Sequence, residues 1–179
     1  MNSIIKDDLF RYAGNRSFKS FLRMVLFTPS FQYLYFFRKT SLAKKRSVKF
    51  WFYKIILRHL MIKYGIQIPE SVQIDRGLKI FHFGMLVMCP DAIIGKNCNI
   101  FQGVTIGYSK GKAPTIGNNV SIHPNAIVVG GIRIGNNVMI APNAFVNFDV
   151  PDNAIVIGNP GKFYIKDYSP TAKHIKYPV

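Results

Sequence analysis

Cysteine and acidic residues are scarce in this chain of 179 residues. It contains two cysteines and eight Asp and Glu residues. Cys89 and Cys98 lie within ten residues of each other, but they have neither Cys-x-x-Cys spacing nor neighbouring histidines. A disulfide framework and a metal site are therefore not expected. A reducing compartment suits this composition, and both cysteines are expected to pack in the core.

Long apolar runs are also missing. Asp7 and Asp8 interrupt the N-terminus before an apolar stretch develops, which argues against a signal peptide. The apolar segment 50–62 contains Lys54 and Arg58, so it lacks the roughly 18 uncharged residues that a membrane span needs. The expected location is the cytoplasm.

Positive charge is abundant and unevenly distributed. The formal net charge is +16, and residues 1–65 contain fourteen Lys and Arg residues against two acidic ones. Apolar residues make up 49% of the chain and charged residues 18%, which favours a folded protein over a disordered one. The length allows one domain with a helical appendage.

Residues 1–65 have helix-compatible runs at 18–26 and 48–63, rich in aromatic and basic side chains. They could pack on the rest of the chain, meet another subunit, or lie on an anionic membrane at the inner face of the cell membrane. In a helix over 48–63, the basic residues fall on two opposite sides. This distribution favours a packed helical cap with a basic exterior, and peripheral membrane contact is the alternative.

An internal repeat dominates the second half of the chain. Residues 116–126 (IGNNVSIHPNA) recur eighteen positions later as residues 134–144 (IGNNVMIAPNA). An aliphatic residue also recurs every six positions, at Ile94, Ile100 and Ile106, and again at Ile116, Ile122, Val128, Ile134, Ile140 and Val146. Six-residue spacing is neither a helical nor an alternating strand period. It predicts a triangular coil of three short strands per turn, with corners at Gly, Asn or Asp and the aliphatic residues inside.

The coil is predicted to extend over residues 66–165. Ile68, Ile74 and Ile80 continue the ladder towards the N-terminus, and residues 166–179 are predicted to form a tail that caps the coil. Ile94 and Ile116 are 22 residues apart, four more than one turn, so a loop is predicted within residues 107–114. Loops on rigid scaffolds often contain functional residues.

Several segments resemble a known family. They are residues 80–84 (IFHFG), 94–98 (IGKNC), 102–107 (QGVTIG), the two IGNNV turns, and residues 156–162 (VIGNPGK). In this order they resemble the hexapeptide-repeat acyltransferases of the serine acetyltransferase-like branch, which includes capsular and exopolysaccharide O-acetyltransferases. The resemblance implies a left-handed parallel β-helix, acetyl-CoA as co-substrate, no metal, and a homotrimer that holds acetyl-CoA between neighbouring coils.

The resemblance also implies the catalytic residues. His82 falls where the family has its general base, which takes the proton of the acceptor hydroxyl. The family's two acidic residues that orient the base are replaced here by Phe81 and Gln67, and the amide of Gln67 is expected to accept the imidazole N–H. The backbone N–H of Tyr108 is expected to stabilise the oxyanion.

The cofactor positions implied by the resemblance lie at successive corners of the coil and in the loop. They are Gly107, Tyr108, His123, Pro124, Asn125, Pro142, Asn143 and Lys162, the last for the phosphate end of CoA.

The acceptor is expected to be a sugar or glycan hydroxyl. Lys112 and Ala113 replace the Arg-His pair with which the family binds the serine carboxylate, and Phe81 and Phe83 could stack on a pyranose. Phe81, Phe83 and Lys112 are therefore the predicted acceptor residues, with L-serine as the alternative acceptor.

Two other functions are disfavoured. A hexapeptide carbonic anhydrase needs three histidine ligands for zinc, and only His82 and His123 lie in the coil, since His59 and His174 lie outside it. The net charge could also serve nucleic-acid binding, but no nucleic acid partner is expected.

Overall fold

The computed structural model describes residues 2–179, which form four helices followed by fifteen short strands. The helices are α1 (Ser3–Ala13), α2 (Phe18–Phe27), α3 (Pro29–Leu42) and α4 (Val48–Tyr64). Side chains of Asn2, Ser17 and Ser47 cap the starts of α1, α2 and α4. Gly14 and Gly65 end α1 and α4 in the left-handed conformation. None of the helices within the described chain is long and apolar enough to span a membrane.

The strands wind through three sheets in turn. They are β1 (Ile66–Gln67), β2 (Gln73–Ile74), β3 (Lys79–Ile80), β4 (Leu86–Met88), β5 (Ile93–Ile94), β6 (Asn99–Ile100), β7 (Thr105–Gly107), β8 (Thr115–Ile116), β9 (Ser121–Ile122), β10 (Ile127–Val129), β11 (Arg133–Ile134), β12 (Met139–Ile140), β13 (Phe145–Val146), β14 (Ala154–Ile157) and β15 (Lys162–Ile165). Sheet A contains β1, β4, β7, β10 and β13; sheet B contains β2, β5, β8 and β11; sheet C contains β3, β6, β9, β12, β14 and β15. All pairs are parallel except β14 with β15. The predicted fold class, a parallel β-helix with a helical N-terminal region, is confirmed.

The repeat residues account for the core and for one corner. The aliphatic residues of the six-residue ladder are buried inside the coil. At the corner between sheets B and C, Asn97, Asn119, Asn137 and Asn153 all adopt the left-handed conformation. Each of the first three donates a side-chain hydrogen bond of 3.0–3.2 Å to the next along the coil. This amide ladder explains why Asn recurs there, since Asn tolerates positive φ and can bond to its own kind.

Two insertions interrupt the eighteen-residue turn, and both contain predicted site residues. Ile66 pairs with Leu86, twenty positions away, because residues 81–85 bulge between β3 and β4. Thr105 pairs with Ile127, twenty-two positions away, because a loop leaves the coil after β7. The following turns return to eighteen residues, and the last one is shortened to sixteen, since Met139 pairs with Ile155.

Helical side chains close the open edge of the first turn. The Tyr33 hydroxyl accepts a hydrogen bond from the Ile68 N–H (3.1 Å) and donates one to the Ile68 carbonyl (3.0 Å). The Tyr12 hydroxyl does the same at Ile80, at 2.8 and 3.0 Å. Because unpaired strand edges expose backbone polar groups, these contacts replace the missing preceding turn.

A buried ion pair covers the corner between β2 and β3 at the same edge of the coil. Asp8 accepts hydrogen bonds from the N–H groups of Gly77 and Leu78 (2.8 and 3.1 Å). Its carboxylate is 2.8 Å from Arg38, which also donates to the Ile74 carbonyl. Both charges are buried, and their hydrogen bonds compensate for the cost of desolvation.

Candidate active site

The first insertion places His82 at the corner between sheets C and A. The bulge rests on the end of α4, where the Leu86 N–H donates to the Gly65 carbonyl (3.1 Å). Phe83 packs against Tyr64, with 5.6 Å between the ring centroids. His82 itself is exposed. An exposed imidazole on a braced corner is accessible to a substrate hydroxyl.

Backbone groups of later turns continue this corner along the coil. Gly103, Asn125 and Asn143 adopt positive φ angles of 72°, 60° and 60°. Each donates its N–H to a carbonyl of the preceding turn at 3.0–3.1 Å. Pro124 and Pro142 precede the two asparagines, so four predicted cofactor residues lie in one column with His82. We call this column the C–A corner.

Gln102 is an unexpected member of the C–A corner. Its side-chain oxygen Oε1 is buried and has no hydrogen-bond partner among residues 2–179. Buried polar atoms in folded proteins usually have partners, so this oxygen is an acceptor that a bound donor could satisfy. Glutamine at this position was part of the recognised motif, but its burial could not be predicted from the sequence.

Three aromatic side chains stack beside the C–A corner. Phe81 lies parallel to Phe101 at 4.4 Å, and Phe101 to His123 at 4.9 Å. Burial of His123 lowers its pKa, and His174 nearby lowers this pKa further. The neutral imidazole is therefore favoured at position 123, where the Ser121 hydroxyl lies 3.3 Å from Nε2.

The second insertion forms a tight hairpin at the corner between sheets A and B. Ser109 and Lys112 pair through two backbone hydrogen bonds of 3.1 Å around Lys110 and Gly111. These two residues have positive φ angles of 50° and 72°, as in a two-residue type I′ turn. Gly107, Tyr108 and Lys112 are the predicted site residues of this loop.

Tyr108 anchors the base of the loop. Its hydroxyl donates a 2.6 Å hydrogen bond to Asp91 of the preceding turn, and this bond raises the tyrosine pKa. Asp91 had no motif that marked it in the sequence.

The predicted residues do not all meet within one chain. His82 precedes β4 and Tyr108 follows β7, so they lie at opposite ends of the strands of sheet A. Gln67 points outward from β1, and no hydrogen bond joins it to His82 among residues 2–179. Its orienting role stays a prediction. Lys162 lies exposed on β15.

A further depression on the surface lies elsewhere. It has a volume of about 630 Å³ over sheet B and contains none of the predicted site residues. No group of three or more potential metal ligands occurs in the described part of the chain.

Comparison with known proteins decides the family. Residues 113–147 match the family described as "Bacterial transferase hexapeptide (six repeats)". The serine acetyltransferase of Helicobacter pylori is 34% identical over 149 residues, covering 80% of this chain and 86% of the relative. That of Synechocystis sp. is 35% identical over 167 residues, covering 90% of this chain and 66% of the relative.

The chain belongs to the hexapeptide-repeat transferase family. The solved Neisseria gonorrhoeae serine acetyltransferase, in complex with serine, superimposes on this transferase with a TM-score of 0.74 and 25% identity, covering 90% of this chain and 67% of the other. The transferase spans about half to two thirds of the length of several curated relatives.

The predicted glycan acceptor is wrong. The relatives are serine acetyltransferases, and one solved relative is described with serine bound. The aromatic side chains that suggested a sugar also pack within the protein, although Phe83 is still 53% exposed. Phe81 stacks on Phe101, the Lys79 ammonium lies 4.7 Å from the Phe81 centroid, and Phe83 packs on Tyr64.

Proposed function

We propose that this transferase moves an acetyl group from acetyl-CoA to the hydroxyl of L-serine, with His82 as general base. The observation that carries the proposal is the exposed His82 at the head of the C–A corner, in a chain whose relatives are named serine acetyltransferases.

His82 acts twice in the proposed reaction. The imidazole takes the proton of the serine hydroxyl while that oxygen attacks the thioester carbonyl carbon. The imidazolium then returns the proton to the sulfur when the carbon–sulfur bond breaks, which leaves O-acetylserine and free CoA. A backbone N–H, for which Tyr108 is the candidate, stabilises the negative charge on the carbonyl oxygen.

The C–A corner suits the amide-containing arm of acetyl-CoA. The unpartnered Oε1 of Gln102 can accept an amide N–H from a bound ligand. Gly103 has no side chain to block approach, and a Cβ there would collide with the Asn125 side chain. Asn125, Pro142 and Asn143 continue the corner towards the C-terminal turns, and Lys162 is the candidate cation for the phosphate end.

A homotrimer would complete the site. His82 and Tyr108 lie at opposite ends of the strands of sheet A. The base of one chain can therefore meet the loop of the next chain only across a head-to-tail interface. A head-to-tail interface whose rotation closes forms a ring, and we propose a ring of three. Each ring would then contain three shared sites.

The activity test is CoA thiol release from acetyl-CoA in the presence of L-serine. His82→Ala should lower kcat/KM by about 10²- to 10⁴-fold, the usual contribution of a general base. His59→Ala is the matched control, because His59 is an exposed histidine of α4. Equal activity in the wild type and His82→Ala would refute the assignment of the base, whereas a wild type without serine-dependent release would refute the acceptor.

The outward face of α4 supports a second proposal, peripheral binding to an anionic membrane. This helix buries Phe50, Leu57 and Leu60 on one side. On the opposite side it exposes an apolar stripe with relative exposures between 52% and 86%: Val48, Trp51, Phe52, Ile55 and Ile62. These spacings place the five side chains on one face of a helix. We call them the α4 stripe.

The charges around the α4 stripe favour a lipid surface as its partner. At helical spacing, Arg58 flanks the stripe on one side and Lys63 on the other, and long basic side chains can extend to lipid headgroups. Asp7 and Asp8 are the sole acidic residues among positions 1–65, and both are buried. The exterior of the helices is therefore basic, which matches the anionic inner face of a cell membrane.

Vesicle sedimentation tests this second proposal. The wild type should bind vesicles of phosphatidylcholine with phosphatidylglycerol, but not phosphatidylcholine alone, and less at high salt. Trp51→Gln/Ile55→Gln should bind about tenfold more weakly, since it removes apolar area at about 25 cal/mol per Å². Ile165→Gln is the control, because Ile165 is 63% exposed on β15. Equal binding to both vesicles, or a smaller oligomer in the double variant, would contradict the proposal.

A further inference from the structure

A cleft between sheet C and the C-terminal tail has no role in the proposed reaction. Its volume is about 280 Å³. The wall on the coil side consists of Lys79, Phe81, Asn99 and Phe101, and the wall on the tail side consists of Lys173, His174 and Lys176. We call it the tail cleft.

Buried polar groups hold the two walls together. The Asn99 side chain donates a 3.0 Å hydrogen bond to the His174 carbonyl. Arg11, fully buried, donates to the Asn99 side-chain oxygen and to the Lys176 carbonyl. The geometry of the cleft is therefore fixed before a ligand binds, which lowers the entropic cost of binding.

The tail cleft concentrates positive charge. Three of its seven lining residues are lysines, and none is acidic. Lys79 is half-buried, and burial lowers its pKa, as do the nearby charges of Arg11 and Lys176. Cations crowded in a partly desolvated cleft are stabilised when an anion neutralises them.

We propose that the tail cleft binds the phosphate group of a small phosphorylated molecule. Three ammonium groups match the double charge of a phosphate monoester better than the single charge of a carboxylate. The cleft is also larger than a phosphate ion needs, which leaves space for a small organic part. The tail cleft lies beside the C–A corner, and Phe81 is the one lining residue that it shares with the predicted active-site residues. Binding in the cleft does not depend on acetyl transfer.

Isothermal titration with inorganic phosphate, glycerol 3-phosphate and acetate tests the proposal. The wild type should bind both phosphates at least tenfold more tightly than acetate. Lys173→Gln/Lys176→Gln, at two exposed positions, should weaken phosphate binding at least tenfold, and so should Lys79→Gln. Lys96→Gln, which removes a lysine at the corner between sheets B and C, should bind phosphate like the wild type.

Three results would overturn the proposal. They are unchanged phosphate affinity in the double variant, equal affinity for acetate, and an equal loss in Lys96→Gln. Titration with CoA separates the site from that of the acyl donor. The double variant should retain its CoA affinity, and a matched loss of CoA and phosphate binding would show that the cleft serves the phosphate end of CoA instead.

Discussion

Tyr12 and Tyr33 form a matched pair that separates stability from catalysis. Each hydroxyl pairs with the N–H and carbonyl of one residue at the edge of the first turn, at 2.8–3.1 Å. Replacement by Phe leaves two backbone groups without partners and creates no large cavity. At about 0.5–1.5 kcal/mol per hydrogen bond, each variant should lose about 1–3 kcal/mol of unfolding free energy. For about 180 residues, this loss corresponds to a lower Tm by roughly 2–12 °C.

The two variants should differ in activity. Tyr12 pairs with Ile80, two positions before His82, whereas Tyr33 pairs with Ile68, far from the base in sequence. Tyr12→Phe should therefore lower kcat for thiol release more than Tyr33→Phe, whose partner Ile68 adjoins the candidate orienting residue Gln67. Calorimetry and steady-state kinetics, with exposed Tyr168→Phe as control, measure both effects. A stability change in Tyr12→Phe no larger than that of the control would refute the capping of the coil edge by helical side chains.

Two further predictions concern the coil. Because burial lowers the folded-state pKa of His123 below 6.5, the unfolded chain takes up a proton first as pH falls. The wild type should therefore lose stability from about pH 7 downwards, until His123 is protonated in the folded state as well. His123→Phe should lose less stability over this pH interval. Thermal melts at a series of pH values measure the difference, with His59→Phe as the control. Gly103→Ala should destabilise the protein by about 2–4 kcal/mol, since it adds left-handed strain and a collision with the Asn125 side chain. Gly111→Ala has the same φ but open space around the new Cβ, so it should cost only about 1–2 kcal/mol. Urea denaturation compares the two, and equal losses would contradict the collision.

The coil was predictable because its determinants are local and repeated. The six-residue aliphatic ladder and the extra residues at 107–114 are both visible as spacing in the chain. The bulge at 81–85 was less visible, since two added residues only weaken the ladder. The match at residues 80–84 came from resemblance to a family rather than from physical pattern.

The contacts that brace the first turn were not predictable. Asp8 reaches Gly77 and Tyr12 reaches Ile80 across more than sixty residues of sequence. No local pattern distinguishes such a side chain from a solvated one. The α4 stripe was obscured for a different reason, because a helix that is apolar on two opposite faces has no single amphipathic direction.

The acceptor could not be derived from residue types alone. Phe81 and Phe83 suggested a sugar because aromatic side chains often stack on pyranose rings, but the same rings also pack against Phe101 and Tyr64. The proposed serine acceptor rests on comparison with relatives and not on the chemistry of these positions.

Mass spectrometry of the reaction product tests the central claim most directly. Wild-type protein incubated with acetyl-CoA and L-serine should produce O-acetyl-L-serine, and His82→Ala under the same conditions should produce almost none. Unmodified serine with the wild type, or equal product with both proteins, would contradict the account.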